Sequence, residues 1–356
     1  MLFELLQTAL HQRTANPALF ENCSEKEWEA CRKLAVLHGV MALAWDGVLT
    51  LPNTLMPPKN IKILWGIAVE KYEKRYRYYC EAAQSLSDLF ASHGIATLIL
   101  KGVGLSACYP IPSHREGGDI DIYTYSADTS RMSHEEANAL ANQLIRDQGI
   151  EVNYENKKHS KFYYRNIPIE NHSTFLEVGL FQLAEKMEPI LHRQMKVSTV
   201  QLLDGQYTLQ VPSPEFNLIF VAFHALQHCA NELSLHHLCD WACLIDQHGL
   251  DSLLTVGQPD FIESVKALTG CTNQLLGTKV DIPVNTLTDT LLYEIFRSEF
   301  HDVNFPTGKF NILWYKTRKL VHFMHLKKQV LHEPYIRTLS ESFANHLLHP
   351  KIFFEK

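Results

Sequence analysis

Two aspartates separated by one residue are the first feature of this sequence that could do chemistry. Asp119 and Asp121 lie in the segment GDIDIYTY, where polar and apolar residues alternate as in a strand with one buried face. Residues i and i+2 of a strand project from the same face, so the two carboxylates would stand side by side. Such a pair is costly to bury without a compensating charge. Because Mg²⁺ and Mn²⁺ prefer oxygen ligands, the pair predicts a divalent-metal site.

A glycine-containing turn precedes the aspartates. The apolar run IATLIL predicts a buried strand ending at Lys101, and the residues GVGLSACYP predict a tight turn that leads into a short helix. Gly102 and Gly104 would let a phosphate approach the backbone, and the start of the helix would offer free N–H groups. Lys101 would add a positive charge. The alternative is a connection that needs glycine for its geometry alone.

The order of these features resembles a known superfamily. A strand, a Lys-Gly turn and a later DID segment resemble the nucleotidyltransferases with the DNA polymerase β-like fold. More closely, LKGVGLSACYP, Arg115 and GDIDIY are similar to a bacterial family of uncharacterised nucleotidyltransferases. The segments LAVLHGV and VPSPEFNLIFVAFHALQH extend the resemblance over most of the chain. Val103 departs from the superfamily pattern, which has a second small residue directly after the first glycine.

The resemblance implies a metal-dependent enzyme that moves a nucleoside monophosphate from a nucleoside triphosphate to a hydroxyl acceptor and releases pyrophosphate. Asp119 and Asp121 would hold two Mg²⁺ (or Mn²⁺) ions. The implied nucleotide-binding residues are Lys101, Gly102, Gly104, Ser106 and Arg115. The alternative for Arg115 is an ordinary solvated loop arginine.

A third carboxylate is expected on a later strand. Glu177, in the apolar segment STFLEVGLF, matches the family's third position, and a metal would compensate its burial. Glu177 is therefore predicted to complete the metal site and to help deprotonate the acceptor. Glu170, in IPIEN, is the rival, and an exposed strand glutamate is the alternative for either residue.

Histidines cluster in the later helical part of the sequence. His224 and His228 are four residues apart, which places them on one face of a helix. Ala225 stands where a zinc peptidase of the H-E-x-x-H type needs its glutamate, so that chemistry is not expected. The resemblance implies that His224, His228 and Asp240 line the acceptor side of the cleft. A structural zinc site and a polar domain interface are the alternatives.

Local signals predict helices at both ends of the chain. Ser24 with Glu27 and Ser133 with Glu136 have the spacing of capping boxes at helix starts, and Ser213 precedes a proline that fits the first helical position. Strands are predicted near 95–100, 118–125, 150–155, 159–165, 167–171 and 174–181, with a hairpin at Asp204-Gly205. The pattern predicts an α+β fold: an N-terminal helical region (1–90), a mixed-sheet nucleotidyltransferase core (91–212) and a C-terminal helical domain (213–356).

Composition narrows the classes of partner. The net charge of −6 and the pI near 6.3 argue against binding to long nucleic acid, so a small-molecule or protein acceptor is expected. Eight cysteines without a CxxC pair suggest reduced thiols. Neither a signal peptide nor an apolar run of about 20 residues is recognisable, so a cytoplasmic protein without a membrane span is expected. A catalytically silent nucleotide-binding or regulatory module, and an antitoxin-like protein acting on a partner, are the functional alternatives.

Overall fold

A computed structural model describes residues 1–128, 130–154, 157–229, 233–283, 285–296 and 306–339. A mixed sheet forms its centre, with strands β1 (Ile95–Ile99), β2 (Ile120–Ser126), β3 (Val152–Asn153), β4 (His159–Tyr164) and β5 (Ile167–His172) in the spatial order β1-β2-β5-β4-β3. β2 and β5 are parallel, and the other neighbouring pairs are antiparallel. The mixed sheet and the many helices confirm the predicted α+β fold class.

Helices precede, interrupt and follow the sheet. They are α1 (Leu2–Leu10), α2 (Glu25–Leu37), α3 (Met41–Leu49), α4 (Lys59–Ala91), α5 (His134–Asp147), α6 (Gln182–Gln194), α7 (Pro214–His228), α8 (Leu235–His248), α9 (Asp251–Val256), α10 (Pro259–Leu276), α11 (Leu287–Phe296) and α12 (Lys309–Val330). None of the helices in the described part of the chain combines the length and the apolar character that crossing a membrane requires.

The predicted helix starts and the hairpin are confirmed. Ser24 and Ser133 each form a capping box, with Glu27 and Glu136. The hairpin consists of β6 (Val197–Leu202) and β7 (Tyr207–Pro212), and its turn includes Asp204 in the left-handed region at φ 56°. Asp tolerates this conformation better than most residues do, which explains the position of the turn.

Helix α4 connects two hydrophobic clusters on the two sides of the sheet. Its first half, with Trp65, packs into a cluster formed mainly by helices, and its second half, with Phe90, packs into the cluster under the sheet. α1 lies against α3 and also against α10, so the helices from both ends of the chain share the first cluster. The division of the chain at residues 90 and 212 stays a prediction.

Strand β2 is covered on both faces. Ile120 and Ile122 belong to the cluster that includes α5, whereas Tyr123 and Tyr125 face the helical cluster. Every residue of β2 is buried, so the expectation of a strand with one buried face is wrong. Since Asp121 shares a face with Tyr123, its carboxylate points toward the helical side of the sheet.

Two local predictions around the sheet are wrong. Residues 174–181 form turns rather than a strand, because the Glu188 carboxylate accepts the backbone N–H groups of Phe175 and Leu176 that a neighbouring strand would need. The expected helix after Lys101 is replaced by short 3-10 turns at Gly102–Gly104, Ser106–Cys108 and Pro112–His114. Prolines at positions 110 and 112 prevent an α-helix from continuing there.

Candidate active site

Three carboxylates meet where β2 begins. Asp119 directly precedes β2, Asp121 lies on it, and Glu170 lies on the parallel neighbour β5. The register pairs Asp121 with Glu170, so both side chains point to the same face. One carboxylate oxygen from each of the three residues lies within 4.8 Å of the others. This all-oxygen donor set fits the preference of Mg²⁺ and Mn²⁺.

Asp121 is buried beside two basic side chains. Its carboxylate is 1% exposed, with Lys101 Nζ 2.6 Å from Oδ2. His172 Nε2 lies 2.9 Å from Oδ1. Burial alone would raise the pKa of this carboxyl, but Lys101 and His172 outweigh burial and hold the pKa of Asp121 well below its usual range. Asp121 therefore stays ionised at neutral pH.

Asp119 has a different environment. Its side chain is 36% exposed, and Lys101 Nζ lies 3.8 Å from its Oδ1. Partial burial and the negative charge of Asp121 raise the pKa of Asp119, and Lys101 opposes this rise only in part. Asp119 is thus the less compensated carboxylate of the pair and the one that opens toward solvent.

The structure places Glu170, and not Glu177, beside the aspartates. Glu177 lies in the turns between β5 and α6, because the strand predicted for it does not form. Glu170 lies 3.4 Å from Lys161 Nζ and 3.5 Å from His159 Nδ1, measured from its carboxylate oxygens. The residue whose position suits the metal site is therefore Glu170, which the sequence analysis gave only as the rival of Glu177.

A cleft opens in front of Asp119. Two adjoining pockets share part of their lining. The shared residues are Tyr72, Arg75, Gly102, Arg115, Glu116, Gly117 and Asp119. Arg75 is exposed and extends from α4 toward the loop before the aspartates, where its Nη2 donates to Tyr79 Oη at 2.6 Å. The cleft combines positive charge and small residues at one edge of the carboxylate cluster.

The predicted phosphate turn has mixed roles in the structure. Gly102, at φ +61°, lines the cleft. Gly104 is needed for packing, since a Cβ there would lie 2.6 Å from the carbonyl oxygen of Ile99. The Ser106 hydroxyl is buried, donates to the Val103 carbonyl at 2.6 Å and lies 2.8 Å from Tyr76 Oη. Ser106 is therefore not presented to a phosphate in this structure.

Arg115 is not a solvated loop residue. Its guanidinium is buried and donates from Nε and Nη2 to the two carboxylate oxygens of Asp240, at 2.9 and 2.7 Å. Tyr109 Oη also donates to Asp240 Oδ1, at 2.6 Å. Asp240 thus fixes an arginine on the cleft wall, and its oxygens are engaged in that contact.

The family is decided by comparison with known sequences. Residues 24–256 match the family model described as "Uncharacterised nucleotidyltransferase". The chain belongs to this family. No curated protein matches the sequence. The crystal structure of an antigenic nucleotidyltransferase-like protein from Paracoccidioides brasiliensis is similar over 62% of this chain and 96% of that chain, with 12% identity and a TM-score of 0.37. At that level the likeness carries no functional argument.

The cleft of this member of the nucleotidyltransferase family has histidines on its other wall. His224 on α7 and His236 on α8 line the larger pocket. His228 and His237 lie next to His224, and the ring centroids of His224 and His228 are 4.6 Å apart. Burial lowers the pKa of His228 to about 4 and the pKa of His224 and of His237 well below the ordinary value. These imidazoles are therefore neutral at neutral pH.

Sequence reasoning missed two residues of this candidate site. His172 is two residues after Glu170 on β5, so the same i, i+2 argument that singled out the aspartates could have found it. Arg75 lies in the middle of a long helix among other charged residues, and no local signal distinguishes it.

Proposed function

We propose that this protein transfers a nucleoside monophosphate from a nucleoside triphosphate to a hydroxyl acceptor, with a divalent cation and release of pyrophosphate. The observation that supports this most strongly is the convergence of Asp119, Asp121 and Glu170 at the edge of the cleft. These carboxylates would hold Mg²⁺ or Mn²⁺, which when bound activates the acceptor hydroxyl and neutralises the charge that develops on the phosphates.

The cleft wall next to the carboxylates would bind the triphosphate. Gly102, Gly117 and Gly118 leave room for phosphate oxygens to approach the backbone, and Arg75 offers an exposed guanidinium. Arg115 is held rigidly by Asp240, so it would supply a fixed positive charge rather than a mobile hydrogen-bond donor. Lys101 balances the charge of Asp121 and limits the repulsion between the site and the incoming phosphates.

The acceptor would enter from the side of α7 and α8, where His224 lines the larger pocket. Its hydroxyl oxygen would form a bond to the α-phosphorus while the bond from this phosphorus to the bridging oxygen of the β-phosphate breaks. Pyrophosphate then leaves with that bonding pair. The hydroxyl proton would pass to a carboxylate of the cluster, for which Glu170 has the position beside Asp121.

A nucleotide-binding module without catalysis is the second candidate. It is favoured by one observation: the ammonium of Lys101 already lies 2.6 Å from Asp121 and 3.8 Å from Asp119, where it compensates the first carboxylate and, in part, the second. A protein of this kind would bind nucleotide and release no pyrophosphate.

Thermal unfolding with each of ATP, CTP, GTP and UTP, with and without Mg²⁺ or Mn²⁺, tests the proposal. A ligand at about 100 times its Kd adds about 2.7 kcal/mol, which raises Tm by several degrees. We expect a metal-dependent rise that Asp119→Asn abolishes. Asp204→Asn, in the exposed hairpin turn, is the control, because Asn also adopts its left-handed conformation.

Pyrophosphate release under the same conditions separates the two candidates. Nucleotide binding with release in the presence of an acceptor extract supports the transferase. Binding without release from any extract supports the silent module. A shift that does not depend on metal contradicts the transferase and supports the silent module, and the absence of any shift with every nucleotide, with or without metal, contradicts both.

A further inference from the structure

Three histidines on α7 and α8 form a cluster that the proposed transfer reaction does not use. One ring nitrogen from each of His224, His228 and His237 lies within 4.8 Å of the others. The ring centroids of His228 and His237 are 4.7 Å apart, and those of His224 and His237 are 5.4 Å apart. The cluster contains nitrogen donors only, whereas the carboxylate site contains oxygen donors only.

We propose that His224, His228 and His237 bind a transition-metal ion of the Zn²⁺ type, at a site separate from the carboxylates. Zn²⁺ takes imidazole ligands at about 2.0–2.1 Å, so tetrahedral ligands are about 3.3 Å apart. The three nitrogens need to approach one another by at most about 1.5 Å to reach that geometry. Side-chain rotation on two packed helices can supply such a movement.

The hydrogen bonding of the three rings is compatible with a metal. Within the described residues, no hydrogen bond occupies a ring nitrogen of His224 or His228. The Ser234 backbone N–H donates to Nδ1 of His237 at 3.2 Å, and the Ser234 hydroxyl oxygen lies 3.0 Å from the same nitrogen. Metal binding through Nε2 would move the ring proton to Nδ1, which would then donate to Ser234 Oγ in place of accepting the Ser234 backbone N–H. Metal-bound histidines commonly donate their second nitrogen in this way.

The site would have an open coordination position. Three protein ligands leave room for a water molecule or a substrate oxygen on a tetrahedral ion. His224 lines the same pocket as Asp119 and Lys101, so the open position would face the proposed acceptor side of the cleft. An acceptor that carries a hydroxyl or carboxylate oxygen could bind there. The site itself does not depend on the transfer reaction, because metal binding can be measured without nucleotide.

Titration of chelator-treated protein with Co²⁺, in the presence of millimolar Mg²⁺, tests the proposal. We expect one equivalent of Co²⁺ to give the visible absorption bands of a tetrahedral nitrogen site, and Zn²⁺ to displace it. His228→Gln and His237→Gln, which do not line the cleft, should weaken Zn²⁺ binding by about tenfold or more. His248→Gln, an exposed residue of α8, is the matched control and should bind as the native chain does.

Other outcomes overturn the proposal. Absence of the visible bands, or Zn²⁺ binding that both glutamine variants retain, excludes the three-histidine site. An absorption band from Co²⁺–thiolate bonds would place the metal on a cysteine instead. Loss of binding in Asp119→Asn, but not in His228→Gln, would place it on the carboxylates. Circular dichroism melts of each variant separate loss of binding from loss of folding, and the nucleotide shifts described above report on the proposed function independently.

Discussion

The two aspartates should respond to substitution in opposite ways. In Asp121→Asn, the Lys101 ammonium loses a counter-ion at 2.6 Å in an environment where the lysine side chain is only 16% exposed. The His172 ring loses its partner at 2.9 Å. Removing one partner of a buried ion pair costs about 3–5 kcal/mol. In long chains each kcal/mol of lost stability lowers Tm by at least about 2 °C. At that value, Tm should fall by about 6–10 °C.

Asp119→Asn should leave the fold intact. The Asp119 side chain is 36% exposed, and its raised pKa means that its negative charge is disfavoured by the folded state. Neutralising it removes repulsion toward Asp121, so Tm should stay within about 2 °C of the native value or rise. The same substitution should abolish the metal-dependent nucleotide shift, because it removes the accessible carboxylate of the site.

Differential scanning calorimetry with EDTA and without nucleotide measures both effects. The double variant Lys101→Met/Asp121→Asn should recover part of the lost stability, since it no longer buries an unpaired ammonium. The pKa of Asp121 is lowered in the fold, so its stabilisation is present above pH 4 and is lost as the pH falls below that value. The Tm difference from Asp121→Asn should therefore shrink in acid. A fall in Tm of less than 2 °C in Asp121→Asn at pH 7 would refute the assignment of a buried ion pair to Asp121. An equal fall in Tm in Asp119→Asn would refute the difference between the two aspartates.

Three further predictions concern Glu170, His114 and Gly104. Glu170→Gln should weaken Mn²⁺ binding by about 10–100-fold, whereas Glu177→Gln should leave it unchanged. Equal effects of the two substitutions in isothermal titration would instead indicate that Glu177 is a metal ligand. The carboxylates of Asp46 and Glu73 lie 2.8 and 3.0 Å from the two ring nitrogens of His114, and they outweigh burial and raise the pKa of His114. The stabilisation from these ion pairs is therefore complete below about pH 6.5 and is lost as the pH rises through the folded pKa. The Tm deficit of His114→Gln should accordingly be larger at pH 6 than at pH 9, and a deficit independent of pH would contradict the ion pairing. Gly104→Ala should lower the free energy of unfolding in urea by about 1–3 kcal/mol, because the added Cβ would lie 2.6 Å from a backbone carbonyl oxygen. Gly118→Ala is the control and should leave the unfolding midpoint unchanged, because no atom lies within 4 Å of its added Cβ.

Local chemistry was enough to predict several elements of the fold. Ser24, Ser133 and Ser213 each cap a helix as expected, because the cap depends on residues within one turn. The hairpin turn at Asp204 likewise depends on the conformations that its own residues tolerate. The order helix, mixed sheet, helix followed from these signals and from the alternation of apolar residues.

Contacts between distant segments could not be predicted in the same way. The position of Glu170 depends on the parallel register of β2 and β5, which no local pattern reports. Arg115 is paired with a residue 125 positions away, so its burial is invisible in the loop around it. The β-like pattern near Glu177 was overridden by Glu188, whose carboxylate takes two of the backbone donors. In each case a tertiary contact decides between alternatives that the local sequence leaves open.

The DID segment shows why sequence spacing alone does not assign roles to its members. Only Ile120 separates the two aspartates in sequence, and a double substitution would remove both carboxylates at once. In the fold, Asp121 holds a buried ammonium and an imidazole, whereas Asp119 faces the cleft and is only partly compensated. A double variant that failed to bind nucleotide would therefore not distinguish a lost ligand from a destabilised strand. Since Asp119→Asn changes the accessible carboxylate and keeps the buried ion pair, it is the variant that separates the chemistry of the site from its folding.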